Sequence, residues 1–291
     1  MKKVAVVGAG KVGTAMALLL QAKGFEICGI AGRNPTTVQE TAKRLGTCGT
    51  LVPAQITKIA DLIFITTPDR LIEEVCLQIR QDNGFGPGQV VVHMSGAMPA
   101  GALGPAKEAG AYVLSVHPLQ SFADVEQAIR NLPGSFFALE GDREALPVGM
   151  EIVKAVGGEY FLLETKYKPM YHMGAAVASN FLVAVLHWAI KIYQQLGMTQ
   201  KEAINALWPL VNGSLKNISA LGPVQALTGP IARGDLSTLK KHLQALGDYQ
   251  PENEVLYKVL GLYTARIARE KGSIDDTAYN RMIQLFKGGI N

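Results

Sequence analysis

The apolar run Val4-Ala5-Val6-Val7 passes directly into Gly8-Ala9-Gly10-Lys11-Val12-Gly13 and then into an amphipathic helical pattern. A strand, a G-x-G-x-x-G turn and a helix in immediate succession constrain the fold more than any other stretch of this chain. Each glycine has a steric task in such a series. Gly8 allows the tight turn, Gly10 lets the backbone approach a pyrophosphate, and Gly13 lets the helix lie close on the strand while its N-terminus faces the phosphate charge. The expectation is a dinucleotide-binding βαβ unit contacted by Gly8, Gly10, Lys11, Val12 and Gly13, against the alternative of a glycine-rich turn with no ligand.

Beyond this unit, short β-rich runs alternate with helical patterns as far as about residue 163. The runs are Val4 to Val7, Glu26 to Ala31, Asp61 to Thr66, Gln89 to His93, Ala111 to His117, Ser135 to Leu139 and Tyr160 to Leu163. Such alternation predicts an α/β fold, a Rossmann-type doubly wound and mostly parallel sheet. After Thr165 no strand pattern recurs, and helices are predicted over 165–196, 199–220, 235–246, 252–271 and 275–287. Two domains are therefore expected, a dinucleotide-binding domain over 1–164 and an all-α substrate and dimerisation domain over 165–291. Thr199 with Glu202 forms a capping box, and Asp235 caps the helix after the Gly229-Pro230 turn.

Composition narrows the partners. A net charge of +4 with no long basic run argues against nucleic acid. Three cysteines without CxxC pairing read as reduced, cytoplasmic thiols. The five histidines show no spacing to carboxylates or thiolates that would make a metal site. The apolar stretch Phe181 to Trp188 falls short of a membrane span and reads as a buried helix.

An NAD site normally places an acid about 20 residues past the glycine motif, to hold the ribose hydroxyls. Here the second strand ends Ile30-Ala31-Gly32-Arg33-Asn34. Arg33 can pair with a 2′-phosphate and stack on adenine, which predicts NADP(H); a solvated loop arginine is the alternative. Thr66, Thr67 and Pro68 end the next strand at the carboxyl edge of the sheet and are expected to line the nicotinamide ribose, a role compatible with Thr67 and Pro68 starting a helix. At the same edge Ser95, His117, Gln120 and Ser121 are candidate substrate contacts or, alternatively, a satisfied polar cluster. Lys168, His172 and Ser179 share a helix face, with Tyr171 and Asn180 beside it. A carbonyl that receives hydride develops alkoxide charge and needs a proton donor, for which Lys168 is preferred and then His172, with His117 as a third candidate. The alternative is that Lys168 ends a surface turn while His172 extends to solvent. Arg233, in the turn Thr228-Gly229-Pro230 to Asp235, could hold a substrate carboxylate or pair with a neighbouring acid.

With these residues assembled, the chain resembles Rossmann-like oxidoreductases whose helical C-terminal half is a domain of unknown function, a branch of the 6-phosphogluconate dehydrogenase-like superfamily. The resemblance rests on Gly8, Gly10 and Gly13, His93-Met94-Ser95-Gly96-Ala97, His117-Pro118-Leu119-Gln120-Ser121-Phe122, Tyr171-His172 with Ser179-Asn180, and Thr228-Gly229-Pro230 with Arg233-Gly234-Asp235. It implies an NADP(H)-dependent reductase of a small carbonyl substrate, foremost 2-dehydropantoate (ketopantoate) as in the variant ketopantoate reductases, working as a cytoplasmic homodimer. Pyrroline-5-carboxylate reductase-like and prephenate dehydrogenase-like activities are the alternatives within the superfamily; a non-catalytic NADP-binding protein is the alternative outside it. Ordinary ketopantoate reductases carry asparagine a few residues after the helix lysine, whereas here Lys168 is followed by His172.

Overall fold

The structure is a computed structural model that describes residues 2–288. Eight strands form one sheet: β1 (Lys3–Val7), β2 (Glu26–Ala31), β3 (Gly49–Thr50), β4 (Leu62–Ile65), β5 (Val90–His93), β6 (Tyr112–Pro118), β7 (Phe136–Gly141) and β8 (Glu159–Leu162). Their order is β3-β2-β1-β4-β5-β6-β7-β8, parallel throughout except for the antiparallel β6–β7 pair. From β1 the chain winds outward to β2 and β3 and then returns to β4 on the other side. The strand order therefore reverses between β1 and β4, where open α/β sheets bind ligands at the carboxyl ends of the strands. The seven strand patterns read from the sequence all appear, and the two-residue edge strand β3 is additional.

Helices α1 (Lys11–Gln21), α2 (Pro35–Leu45), α3 (Ala54–Thr57), α4 (Ile72–Gln81), α5 (Gly104–Glu108), α6 (Val125–Asn131) and α7 (Leu146–Ala155) cover the two faces. Alternate strand residues supply two cores because successive side chains point to opposite faces. Val4, Val6, Phe64, Val92, Leu114 and Phe137 pack with Met16 and Leu20 of α1 and Ile152 of α7. Ala5, Val7, Ile63, Ile65, Val91 and Val113 pack with Ile72, Cys76 and Ile79 of α4.

After β8 come α8 (Lys168–Ala176), a π-helical turn (Val177–Phe181) and α9 (Leu182–Gln195), followed by α10 (Gln200–Ala226), α11 (Leu236–Tyr249), α12 (Glu254–Glu270) and α13 (Asp276–Lys287). The helix predicted to end at 220 continues to Ala226 across a break at Gly222, whose φ of 77° takes the chain out of the helical region just before Pro223. The capping box of Thr199 with Glu202 is formed, and Asp235 caps α11. The sheet ends close to the expected boundary at 164/165, but the chain divides into compact units at 185/186, so α8 belongs with the sheet. In the second unit a small core of Leu239, Ala265, Met282 and Phe286 forms, with Gly261 against the Phe286 ring.

The expectation of a buried helix at 181–188 is corrected. No residue of α9 is buried, and Phe181 and Val183 are 61% and 65% exposed. The run 165–195 is long and apolar enough to cross a membrane, with a hydropathy of 1.6. Among the described residues its apolar side chains are at best partly covered, Trp188 packing edge-on against Tyr257, which is why periodicity alone mistook them for core.

Candidate functional site

The nucleotide cradle follows from backbone sterics. Gly8 has φ 122°, and a Cβ there would lie 2.7 Å from the Thr66 backbone. At Gly13 it would lie 2.3 Å from the Gly8 carbonyl oxygen and from Thr66 Oγ1. Thr66 Oγ1 donates to the Gly8 carbonyl at 2.9 Å and so ties the end of β4 to the glycine turn. Gly10 instead faces open space, and as the N-cap of α1 it leaves the first-turn amides without a side-chain cap or an acidic neighbour. Unpartnered N–H groups at a helix start are an anion site in waiting. A cleft of about 440 Å³ is lined there by Gly8, Gly10, Gly32, Arg33, Thr37, Thr66, Thr67 and Pro68. The Thr67 hydroxyl is buried without a partner, an orphan that a bound group would satisfy. The residues therefore fit a dinucleotide. Lys11 and Val12 open α1; Val12 packs on the core, and neither lines the cleft.

Across the same sheet edge, strand register lines up the polar groups. His93 lies beside Ser115, which lies opposite Glu140; His117 lies opposite Ala138, which pairs with Phe161. His93 is fully committed, with Nδ1 accepting from Ser95 N–H at 3.2 Å and Nε2 3.1 Å from the Pro99 carbonyl; burial holds it down at about 4. Ser95 donates to Asp69 at 2.6 Å and accepts from the amides of Ala97 and Met98, so its hydroxyl organises the loop after β5 rather than facing a substrate.

His117 keeps a ring nitrogen available. Its Nδ1 is 2.6 Å from the Tyr171 hydroxyl; burial pushes that phenol above its ordinary value and, with Lys168 nearby, holds His117 at about 4. A neutral imidazole taking the phenol's hydrogen bond on Nδ1 carries its proton on Nε2. Nε2 of His117 and Nδ1 of His172 converge on Gly96, where a Cβ would meet each at 2.7 Å. The absence of a side chain at Gly96 is what lets two imidazoles meet, and Phe161 closes the cluster edge-on against Tyr171.

Lys168 does not share this opening. It is 1% exposed, donating to Ser115 Oγ at 2.6 Å with Glu140 at 3.6 Å, so the expected proton donor is instead enclosed. Helical spacing put Lys168 and His172 on one face, but tertiary packing buries the first and exposes the second. Gln120 spends its amide on Asn131, Ser135 and Ser121, and so shapes its own loop. Ser121, Ser179 and Asn180 are exposed, the last two in the π-helical turn. Arg233 is exposed in the second unit, and among the described residues it makes no ion pair. Sequence reading missed Asp69 and Glu140. An acid inside the apolar run Phe136 to Leu139-Glu140 was the available signal for Glu140, and Asp69 simply follows the Thr67-Pro68 strand end. No cluster of three or more metal-ligating side chains occurs among the described residues.

Residues 1–118 match the Rossmann-like domain and residues 135–264 match a domain of unknown function, DUF2520. No curated protein matches the chain. Among solved structures, a protein from Bacteroides fragilis described provisionally as an NADP oxidoreductase superposes with a TM-score of 0.75 at 20% identity, covering 91% of this chain and 98% of its own. A Thermotoga maritima protein gives 0.73 at 28% identity over 92% and 99%. A 1-pyrroline-5-carboxylate reductase from Streptococcus pyogenes gives 0.62 at 16% identity over 94% and 99%.

Proposed function

From a chain that carries a Rossmann-like domain followed by a DUF2520 domain, we propose an NADP(H)-dependent oxidoreductase that reduces a small carbonyl or imine. The observation that carries this reading is the pairing of an open glycine cradle with two imidazoles meeting at the same sheet edge. NADPH, when bound, supplies the hydride. Gly8, Gly10, Thr66, Thr67 and Pro68 hold the dinucleotide, Gly13 lets α1 pack against the glycine turn, and Arg33 takes the 2′-phosphate. His117 offers Nε2–H to the substrate oxygen or nitrogen, with Tyr171 fixing that tautomer, and His172 delivers the proton as negative charge develops. Ser179 and Asn180, in the π-helical turn that follows α8, are substrate contacts in this reading.

Ketopantoate is the foremost substrate, and pyrroline-5-carboxylate is the second because a solved relative of this fold reduces it. The protein works as a cytoplasmic homodimer. Free Cys28, Cys48 and Cys76 suit a reducing compartment, burial raising the Cys28 and Cys76 thiols to about 11 and about 12. Exposed Phe181 just before α9 and Val183 within it, Trp208 and Leu210 on α10, and Val259 and Tyr263 on α12 supply apolar surface for a second copy.

The test is calorimetry with NADPH and NADH, then NADPH oxidation across ketopantoate, other 2-oxo acids and pyrroline-5-carboxylate. NADPH binding with turnover of one class supports the reading. No heat with either coenzyme ends it, and binding without turnover of any of them reduces the protein to a nucleotide sensor. Light scattering that returns a monomer would remove the dimer.

A further inference from the structure

Lys168 and Glu140 are nearly enclosed side chains, 1% and 4% exposed, and the proposed chemistry uses neither directly. Leaving water costs both charges free energy, so a buried pair persists where its remaining hydrogen bonds are satisfied. Here each oxygen and the ammonium reach a different segment. Glu140 Oε2 accepts the Ala100 amide at 2.8 Å, at the far end of the loop that contains Gly96. Glu140 Oε1 accepts the Thr165 hydroxyl at 2.8 Å, in the turn that leads into α8. Lys168 Nζ donates to Ser115 Oγ at 2.6 Å, and Ser115 donates in turn to the Ser95 carbonyl at 3.3 Å, at the near end of the same loop.

Both ends of the Gly96 loop and the first turn of α8 are thus tied to one ion pair. The loop supplies the floor on which His117 and His172 meet, and α8 carries Tyr171 and His172 one turn beyond Lys168. Extending the reading above, we infer that Lys168 is a positioning residue: with Glu140 it forms an internal strut that sets the Gly96 loop and the Tyr171–His172 turn in register, and it is not the proton donor. The strut is a three-way junction: Glu140 comes from β7, Ser115 from β6 and Lys168 from α8, so shifting any arm moves both walls of the imidazole pair.

The experiment is hydrogen exchange on the full chain without substrate, for Ser115→Ala, Lys168→Met and Lys168→Met/Glu140→Gln, joined to kinetics on whichever substrate is turned over. Ser115→Ala, which leaves the ion pair in place and so guards against a variant that fails to fold, speeds exchange about tenfold in both 95–100 and 165–172 while the glycine turn 8–13 is unchanged. It lowers kcat about tenfold with the KM for NADPH unaltered. Lys168→Met perturbs the same two segments more strongly, and the neutral double variant recovers part of the loss in exchange protection and in kcat. Faster exchange in one segment alone, or in neither, overturns the strut. Loss of kcat beyond about a thousandfold in the double variant, with wild-type exchange, makes Lys168 the proton donor and overturns the inference as well. Because exchange is read without substrate, failure of the proposed reaction leaves this outcome separately decided.

Discussion

Replacing Gly96 by alanine asks whether the meeting of two imidazoles is the working part of this protein. The backbone at Gly96 lies outside the left-handed region, so alanine introduces no backbone strain and the effect is steric. Its Cβ would stand 2.7 Å from both His117 Nε2 and His172 Nδ1, where ordinary contact begins near 3.4 Å, so each ring must retreat by about 0.7 Å. Displacing catalytic groups by about 1 Å costs on the order of 10²-fold in rate, or about 2.7 kcal/mol of transition-state stabilisation. Stability is affected far less. The exposed His172 ring can swing toward solvent, and the largest foreseeable loss at the half-buried His117 is its hydrogen bond with Tyr171, worth about 1 kcal/mol. In a unit of this size that shifts Tm by about 2–4 °C. The cradle around Gly8 to Gly13 lies on other strands, so NADPH affinity stays within about twofold. The assay is kcat/KM, NADPH titration and thermal melting on Gly96→Ala beside wild type. A variant that keeps kcat/KM within about threefold would refute the argument, and so would one that loses NADPH affinity in proportion to rate.

Arg33→Ala is expected to weaken NADPH about 10- to 100-fold, the worth of a charge-assisted phosphate contact, with NADH nearly unchanged; equal effects on both coenzymes in titrations would remove Arg33 from the phosphate. Tyr171→Phe frees the His117 tautomer and should lower kcat about 5- to 10-fold without moving NADPH affinity, whereas an unchanged kcat would take Tyr171 out of the site. His93 and His117 are both held at about 4 against an ordinary 6.5, so the unfolded chain binds more protons between those values. Their contribution to stability is complete above about pH 6.5 and is lost as pH falls toward 4, with a limiting slope of about 2.7 kcal/mol per pH unit for two protons; equal urea midpoints at pH 5 and pH 7 would contradict it.

Much of the fold is legible because it is local. A strand pattern, a glycine turn and a helix start involve neighbours along the chain, so β1, α1 and the cradle follow from their own residues, and the helical second half follows from periodicity and caps such as Thr199 with Glu202. The strand ends bearing His117 and Thr66 were equally readable, since parallel strands must present those ends at one edge. Side-chain roles were not. Whether Lys168 meets solvent depends on Ser115 and Glu140, residues separated from it by whole elements; Ser95 is claimed by Asp69; and the exposure of α9 depends on what the rest of the chain fails to cover. Periodicity reports which residues share a face. Only packing decides whether that face is core, active surface or contact, because burial is a property of everything that surrounds a side chain rather than of its place in the sequence.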